Sequence, residues 1–322
     1  MANINIDITE LQAEFGAYYL GANNQANRTR LFHRLYVMSE TDKLFTRITT
    51  TATIYQAAQV LFDRIMQTFT CDWTPKTNVL EIKPISIPLQ HLKFDIDICP
   101  YDIQESWAGF LAGENLQPEA FPLIAYIIEE ILLKTWEEEW ELYAVYKGVY
   151  DITPLPNTSS DVIDGIRKQI NDGITATTIT PVVLGALPAD DKLLVRYVEE
   201  FTDALPIQYR QMKDTLMMSY ENSLRYMRGM DELYNMNYAK ETNLYNVAKT
   251  NISVVGLPSM SGSDKLILTP KENRILLEKD ARNVQNIRVE TAKRQVSIFT
   301  DYWKGIGFNR HDILFTNDLD LV

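Results

Sequence analysis

The residues best placed to do chemistry are acidic. The run WEEEWE sets Glu137, Glu138, Glu139 and Glu141 close together. Clustered carboxylates are the raw material of a divalent-metal site or of paired acid–base work. On a helix, however, successive positions fan out at about 100°, so only Glu137/Glu141 and Glu138/Glu141 share a face. No histidine stands three positions on to complete a ligand set. The run therefore reads as a solvated or subunit-facing acidic patch. The three histidines, His33, His91 and His311, fall on three different elements, and each reads as structural or superficial. Cys71 and Cys99 form no CxxC pair. Buried thiols in a reducing compartment are expected of them, not a disulfide framework. No glycine-rich phosphate loop, GxSxG elbow or HExxH pair occurs. No catalytic, cofactor-binding or metal-binding residue is assigned, and nothing argues for an enzyme.

Bulk properties agree. The chain has 322 residues, 46% hydrophobic and 23% charged, which suits a globular protein of two or three subdomains. Its formal net charge of -12 argues against a protein whose task is to grip phosphate backbones, because that affinity comes from Lys and Arg. MANINIDITE shows no basic region followed by an apolar run, so no signal peptide is expected. No stretch reaches the ~20 apolar residues of a membrane span.

One element must position the rest. EAFPLIAYIIEEILLKTWEEEWELYAVYK, residues 119–147, reads as a single long helix with Pro122 in its first turn and Gly148 as its stop. Ile127, Ile128, Ile131, Leu132 and Trp136 fall on one apolar face, and Glu129, Glu130, Lys134, Glu137, Glu138 and Glu141 populate the other. At 1.5 Å per residue it would be roughly 40 Å long.

In chain order, an arm comes first. It holds two short amphipathic helices, the second carrying Arg28, Arg30 and Arg34. IYQAAQVLFDRIMQTF, residues 54–69, has the spacing of an amphipathic helix. Between Phe69 and Ile98 the period falls to two, with FDIDI alternating strictly, while Pro84 and Pro88 confine the run to an edge. This predicts a two-stranded projection that must lie on a partner. Helix then strand then helix alternate from about Asp151 to Gly256, an α/β subdomain. Strands dominate from there to the end.

Three stretches carry a resemblance. FDIDICPYDIQES leads into the long helix and KGVYD; SSDVIDGIRKQIND follows; GLPSMSGSDKLILTPKENRILLEKDARNVQNIRVETAKRQVSIFTDYWKGIGF closes the pattern. Their order resembles the HK97-type major capsid protein fold of tailed double-stranded DNA phages. The resemblance implies an α+β fold with an N-terminal arm (1–50), a leading helix and extended loop (51–100), and a peripheral domain (101–150 and 257–307) built on a spine helix (119–147). It implies an axial domain at 151–256 and 308–322. It implies a shell protein that assembles with itself as hexamers and pentamers and encloses double-stranded DNA without reading sequence. A separate scaffolding protein and a portal are implied as partners, with no membrane and no cofactor, and the virion as its place after assembly in the host cytoplasm. In some relatives a loop lysine is cross-linked to an asparagine of a neighbour; Lys76 and Lys83 are available here, but no partner pattern stands out and no cross-link is expected.

The subunit-interface candidates are Arg28, Arg30 and Arg34 on the arm, Trp73 and Lys76 on the projection, and Glu137, Glu138 and Glu141 on the helix. Two other readings stay open. One is an encapsulin-type compartment, which a cargo-peptide groove would favour. The other is a small-molecule-binding or enzymatic module at 151–256, which a pocket of converging polar groups with perturbed ionisation would favour.

Overall fold

The computed structural model describes residues 8–20, 39–62, 65–77, 80–118, 121–153, 156–210, 212–234, 245–279 and 287–321. The architecture begins with the C-terminal alternation. In β11 (Gln295–Phe308) the even positions from Val296 to Lys304 are buried, while Gln295 and Asp301 are exposed. A period of two with one dry face is what a strand lying on a core produces. β4 (Gln90–Ile98) runs antiparallel to its middle, β10 (Arg288–Ala292) to its start and β9 (Arg274–Lys279) to its end. β1 (Thr46–Thr50) adds to β9 in parallel and completes a five-stranded sheet.

The dry face of this sheet receives the long helix. Helical geometry spans 123–144, with Pro122 as an extended N-cap and not inside the first turn. Ile124, Ile127, Ile128 and Val145 are fully buried in a core shared with Val296, Ile298, Tyr302 and Ile306. Ile131, expected to be equally buried, is half-buried. Ile127→Ala should therefore cost about 3 kcal/mol through lost transfer energy and an uncollapsed cavity, and Ile131→Ala about half that; urea titration of the two variants checks the order.

The helix is not uniform. Ile127–Leu132 and Trp140–Ala144 are π-helical, and the Val145 amide donates to the Trp140 carbonyl five residues back at 2.9 Å. Each such turn takes in an extra residue and rotates the downstream faces. That rotation corrects one expectation. Glu141, placed by regular spacing on the wet side, is only 8% exposed.

A second correction concerns residues 54–69. Ile54–Phe62 is a strand, β2, not a leading helix, and it pairs antiparallel with β3 (Leu80–Pro88) from Ile54↔Pro88 to Phe62↔Leu80. Tyr55, Ala57 and Gln59 point inward while Gln56 and Ala58 are exposed, a period of two hidden beneath apparent helical spacing. The projection is thus β2 with β3, while FDIDI in β4 belongs to the main sheet. At its base, Ile87 and Leu89 join Ile275 and Leu277 in a small core of their own. Glycine makes that contact possible: a Cβ on Gly305 would sit 2.8 Å from the Pro88 carbonyl oxygen, and one on Gly307 would sit 2.9 Å from Ile87.

The other unit is a sheet ordered β12-β8-β5-β7-β6, built from Phe315–Thr316, Ile267–Leu268, Thr215–Ser219, Ser253–Leu257 and Tyr245–Asn246. Helices Asp191–Asp203 and Tyr220–Tyr234 pack with it through Leu194, Val198, Phe201, Tyr226 and Leu268. The Asp190 carboxylate caps the first of these by accepting from the Lys192 and Leu193 amides, each at 3.0 Å. The division into 151–256 with 308–322 and 101–150 with 257–307 differs from this in two places. β8 pairs in the second sheet, and Ile163, Ile166 and Ile170 pack in the core of the long helix. Backbone pairing assigns β8, and side-chain burial assigns the three isoleucines.

Candidate interaction surface

The paired arms of the hairpin end in residues that nothing covers. Met66 is 90% exposed, Phe69 88% and Trp73 90%, with Ile65 beside them. Lys76 and Cys71 stand on the same exposed stretch. The buried thiol expected of Cys71 is thus overturned, because its side chain and those of the described residues around it are exposed. So much apolar surface gathered in one projection is a mark of an interaction site.

On the body, β4 and the long helix flank an open cleft of about 330 Å³. Phe94, Ile96 and Ile98 form one wall, and Ile131, Trp136 and Tyr302 contribute to the rest. Phe94 meets Trp136 edge-on at 4.5 Å between centroids. Glu139 sits at the rim, its carboxylate accepting from the Ser159 hydroxyl at 2.7 Å.

The structure separates the acidic candidates. Glu138 is exposed and Glu137 half-buried, whereas Glu141 faces inward. Glu141 accepts from the Thr41 hydroxyl at 2.7 Å, the Thr41 amide at 3.2 Å and the Ser259 amide at 3.2 Å. It is a fastening point within the subunit. Next to it, the Lys304 ammonium donates to Asp42 at 2.6 Å with both side chains 0% exposed. The Trp140 indole donates to the same carboxylate at 3.0 Å, and the ammonium lies 3.9 Å from the Trp140 ring centroid. Four remote segments are thereby held together. One signal could have revealed Lys304: it shares the parity of Val296, Ile298 and Tyr302 in an alternating strand. Trp73 and Lys76 fall together on the exposed stretch of the hairpin, and Glu137 and Glu138 lie on the long helix. Arg28, Arg30 and Arg34 lie outside the described residues.

Two other sites gather polar groups. A cleft of about 570 Å³ lies between Gln59 and Lys83 of the hairpin and Thr178, His311 and Asp312 of the body. His311 is hydrogen-bonded to the Thr178 hydroxyl at 2.8 Å, and burial lowers its pKa. Asp312 is engaged by Arg310 at 3.0 Å. The Thr178 hydroxyl donates to the Gly173 carbonyl at 3.0 Å, so its contact with His311 is read as a structural link between the two segments. Elsewhere, buried Lys265 donates to Asn171 and to the Leu319 carbonyl, each at 2.8 Å, and burial pushes its pKa down to about 8. Folded-state protonation is then lost before the unfolded chain loses it near 10.5, so between about pH 8 and 10.5 the folded form binds fewer protons and gains stability as pH rises. The stability difference between the wild type and Lys265→Met should widen in favour of the wild type over that range and be flat below it; denaturant midpoints measured at half-unit pH steps test this. Among the described residues, no group of His, Cys, Asp and Glu is arranged to hold a metal ion, and no helix is long and apolar enough to cross a membrane.

No family model and no curated protein matches the sequence. The likeness is one of fold. A chain of the satellite phage P4 procapsid including the size determination (Sid) protein is similar over 91% of this chain and 98% of that one, with 13% identity and a TM-score of 0.54. The capsid of the native GTA particle is similar over 85% of this chain and 94% of that one, with 14% identity and a TM-score of 0.51. The chain therefore has an α+β fold found in the shells of phage-type particles.

Proposed function

We propose that this chain is the major capsid protein of a tailed double-stranded DNA phage, a structural protein whose work is to close, with copies of itself, into an icosahedral shell. The observation that carries the reading is the hairpin: a two-stranded projection whose tip holds Phe69 and Trp73 exposed, on a chain with a phage-shell fold. A projection of that kind gains stability only by lying on a neighbour. In this reading the arm, expected over 1–50, gives way to the main sheet at β1 (Thr46–Thr50), the hairpin of 54–88 is the extended loop, 123–144 is the spine helix and the second sheet is the axial domain. Hexamers and pentamers build the shell. A scaffolding protein and a portal complete the proposed partner set. A net charge of -12 suits an inner face that encloses packed DNA without tethering it.

The test is negative-stain electron microscopy of the purified chain, alone and co-expressed with a scaffolding protein from its own genome. Closed shells are expected, and their diameter and content distinguish a genome container from a cargo compartment. A chain that stays monomeric in both preparations overturns the reading.

The arm gives a second test. Arg28, Arg30 and Arg34 complement the acidic long-helix surface of a neighbour at Glu137 and Glu138. Each exposed pair contributes about 0–1 kcal/mol and is screened over roughly 10 Å at 0.1 M salt, but a shell repeats it at every contact. Reversing all three arginines to glutamate should suppress assembly, most strongly at low salt, and leave the monomer's thermal midpoint unchanged. Light scattering against ionic strength reads the effect; equal assembly at every salt concentration would remove the arm's charges from the mechanism.

A further inference from the structure

We propose that the open cleft between β4 and the long helix binds a small organic cation, a compact apolar body carrying one ammonium group. The site lies within a single subunit, so it goes beyond the shell reading and does not depend on it.

The walls are apolar and partly wet. Ile96 is 38% exposed, and Phe94, Ile98 and Trp136 are half-buried. Trp136 is fixed from two sides, edge-on to Phe94 at 4.5 Å and tilted against Tyr302 at 4.8 Å between centroids. Such walls gain by being covered, and an aromatic ring face attracts a cation that comes within about 6 Å of it. The volume of about 330 Å³ sets the size of the occupant. At ~30 Å³ per water it equals roughly eleven waters, the bulk of a phenylalkyl amine and the small end of ligand pockets.

The rim sets the sign of the charge. Lys93 and Glu139 are the charged residues among those that line the cleft. The Lys93 ammonium donates to Asp95 and is neutralised there. Glu139 is positioned instead by the Ser159 hydroxyl, which donates to its Oε2 at 2.7 Å. Thr158 holds that loop in place, its amide and hydroxyl donating to Asp161 at 2.9 and 2.7 Å. The Oε1 atom of Glu139 remains an acceptor with no partner among the described residues. Glu137 and Glu138 precede it on the helix and add to the negative rim. A fixed carboxylate at the mouth of an aromatic cleft attracts an ammonium head and repels an anionic one.

Three probes with one apolar body test the site on the full-length chain: phenylbutylamine, phenylbutanol and phenylbutyrate, each titrated by ligand-observed NMR at neutral pH and low salt. The amine should bind with a Kd on the order of 1 mM or tighter. It should exceed the carboxylate by about ten-fold, since attraction of one head and repulsion of the other both count, and salt should erode the difference. Glu139→Gln should abolish the preference and leave phenylbutanol binding unchanged. Ile96→Trp, which fills the cleft from the strand, should abolish binding of all three; Thr135→Trp fills it from the helix should the first variant fail to fold. Binding that survives a folded filling variant places the ligand elsewhere and overturns the site. Equal affinity for the three heads overturns the assignment of a cation. A chain that binds none of the probes leaves the cleft to a protein partner, and the proposal falls with the shell reading untouched.

Discussion

Lys304→Ala lowers the unfolding free energy by about 3–5 kcal/mol, the cost of leaving the Asp42 carboxylate buried without its counter-ion. Both side chains are 0% exposed and 2.6 Å apart, so water cannot take the place of the ammonium. The loss exceeds that of an ordinary core truncation because Asp42 also receives the Trp140 indole, and its position fixes the segment that carries Thr41 to Glu141. The paired variant Asp42→Asn/Lys304→Met separates the two terms. It removes both charges while keeping an acceptor for Trp140, and it should unfold within about 1 kcal/mol of the wild type, because a well-packed neutral pair escapes the desolvation penalty. A double-mutant cycle in urea measures the coupling. A single-variant cost below about 1 kcal/mol would mean that solvent reaches the pair.

The second large effect is on assembly. Replacing residues 65–77 by a short Gly-Ser turn should abolish shell formation and move the thermal midpoint by less than about 2 °C. In the described subunit every one of these residues is exposed, so little folding free energy resides in them. The arms stay paired from Ile54 to Phe62 and their base stays packed on Ile275 and Leu277. Circular dichroism on the monomer and microscopy on the assembly reaction give the two readouts. An unfolded truncation product would show that the tip stabilises its own subunit, and normal shells would show that the projection is not an assembly element.

These two predictions draw on different depths of the sequence. Only one strand of the hairpin was legible: alternation at Ile85 and Ile87 with the edge prolines Pro84 and Pro88 predicts β3, whereas Leu92 and Phe94, read as its second strand, belong to the main sheet. Its pairing was not. Residues 54–62 satisfy helical and strand spacing together, because Ala57, Ala58 and Leu61 can lie on a helix face while Tyr55, Ala57 and Gln59 can line one side of a strand. Only the presence of β3 as a hydrogen-bonding partner decides between them. The cleft was hidden for a similar reason. Phe94 and Ile96 read as a buried strand face, and no local pattern says that the helix above them leaves room.

The sequence by itself determined the elements whose local signals agree with their burial. The long helix, the helix–strand–helix alternation between Asp151 and Gly256 and the C-terminal alternation follow from period and punctuation. It also determined the absence of recognisable catalytic motifs and the acidic balance, since both depend on composition and spacing alone. Tertiary structure decided what depends on partners distant in the chain. Two π-turns rotate Glu141 from the wet face to the amides of Thr41 and Ser259. β8 leaves its sequence neighbours because β5 and β12 offer its backbone partners. Lys304 is buried because Asp42, 262 residues away, supplies a charge to meet it. Burial of a polar group is favourable only when its partner is already in place, and that condition is a property of the assembled fold, which no window of sequence contains.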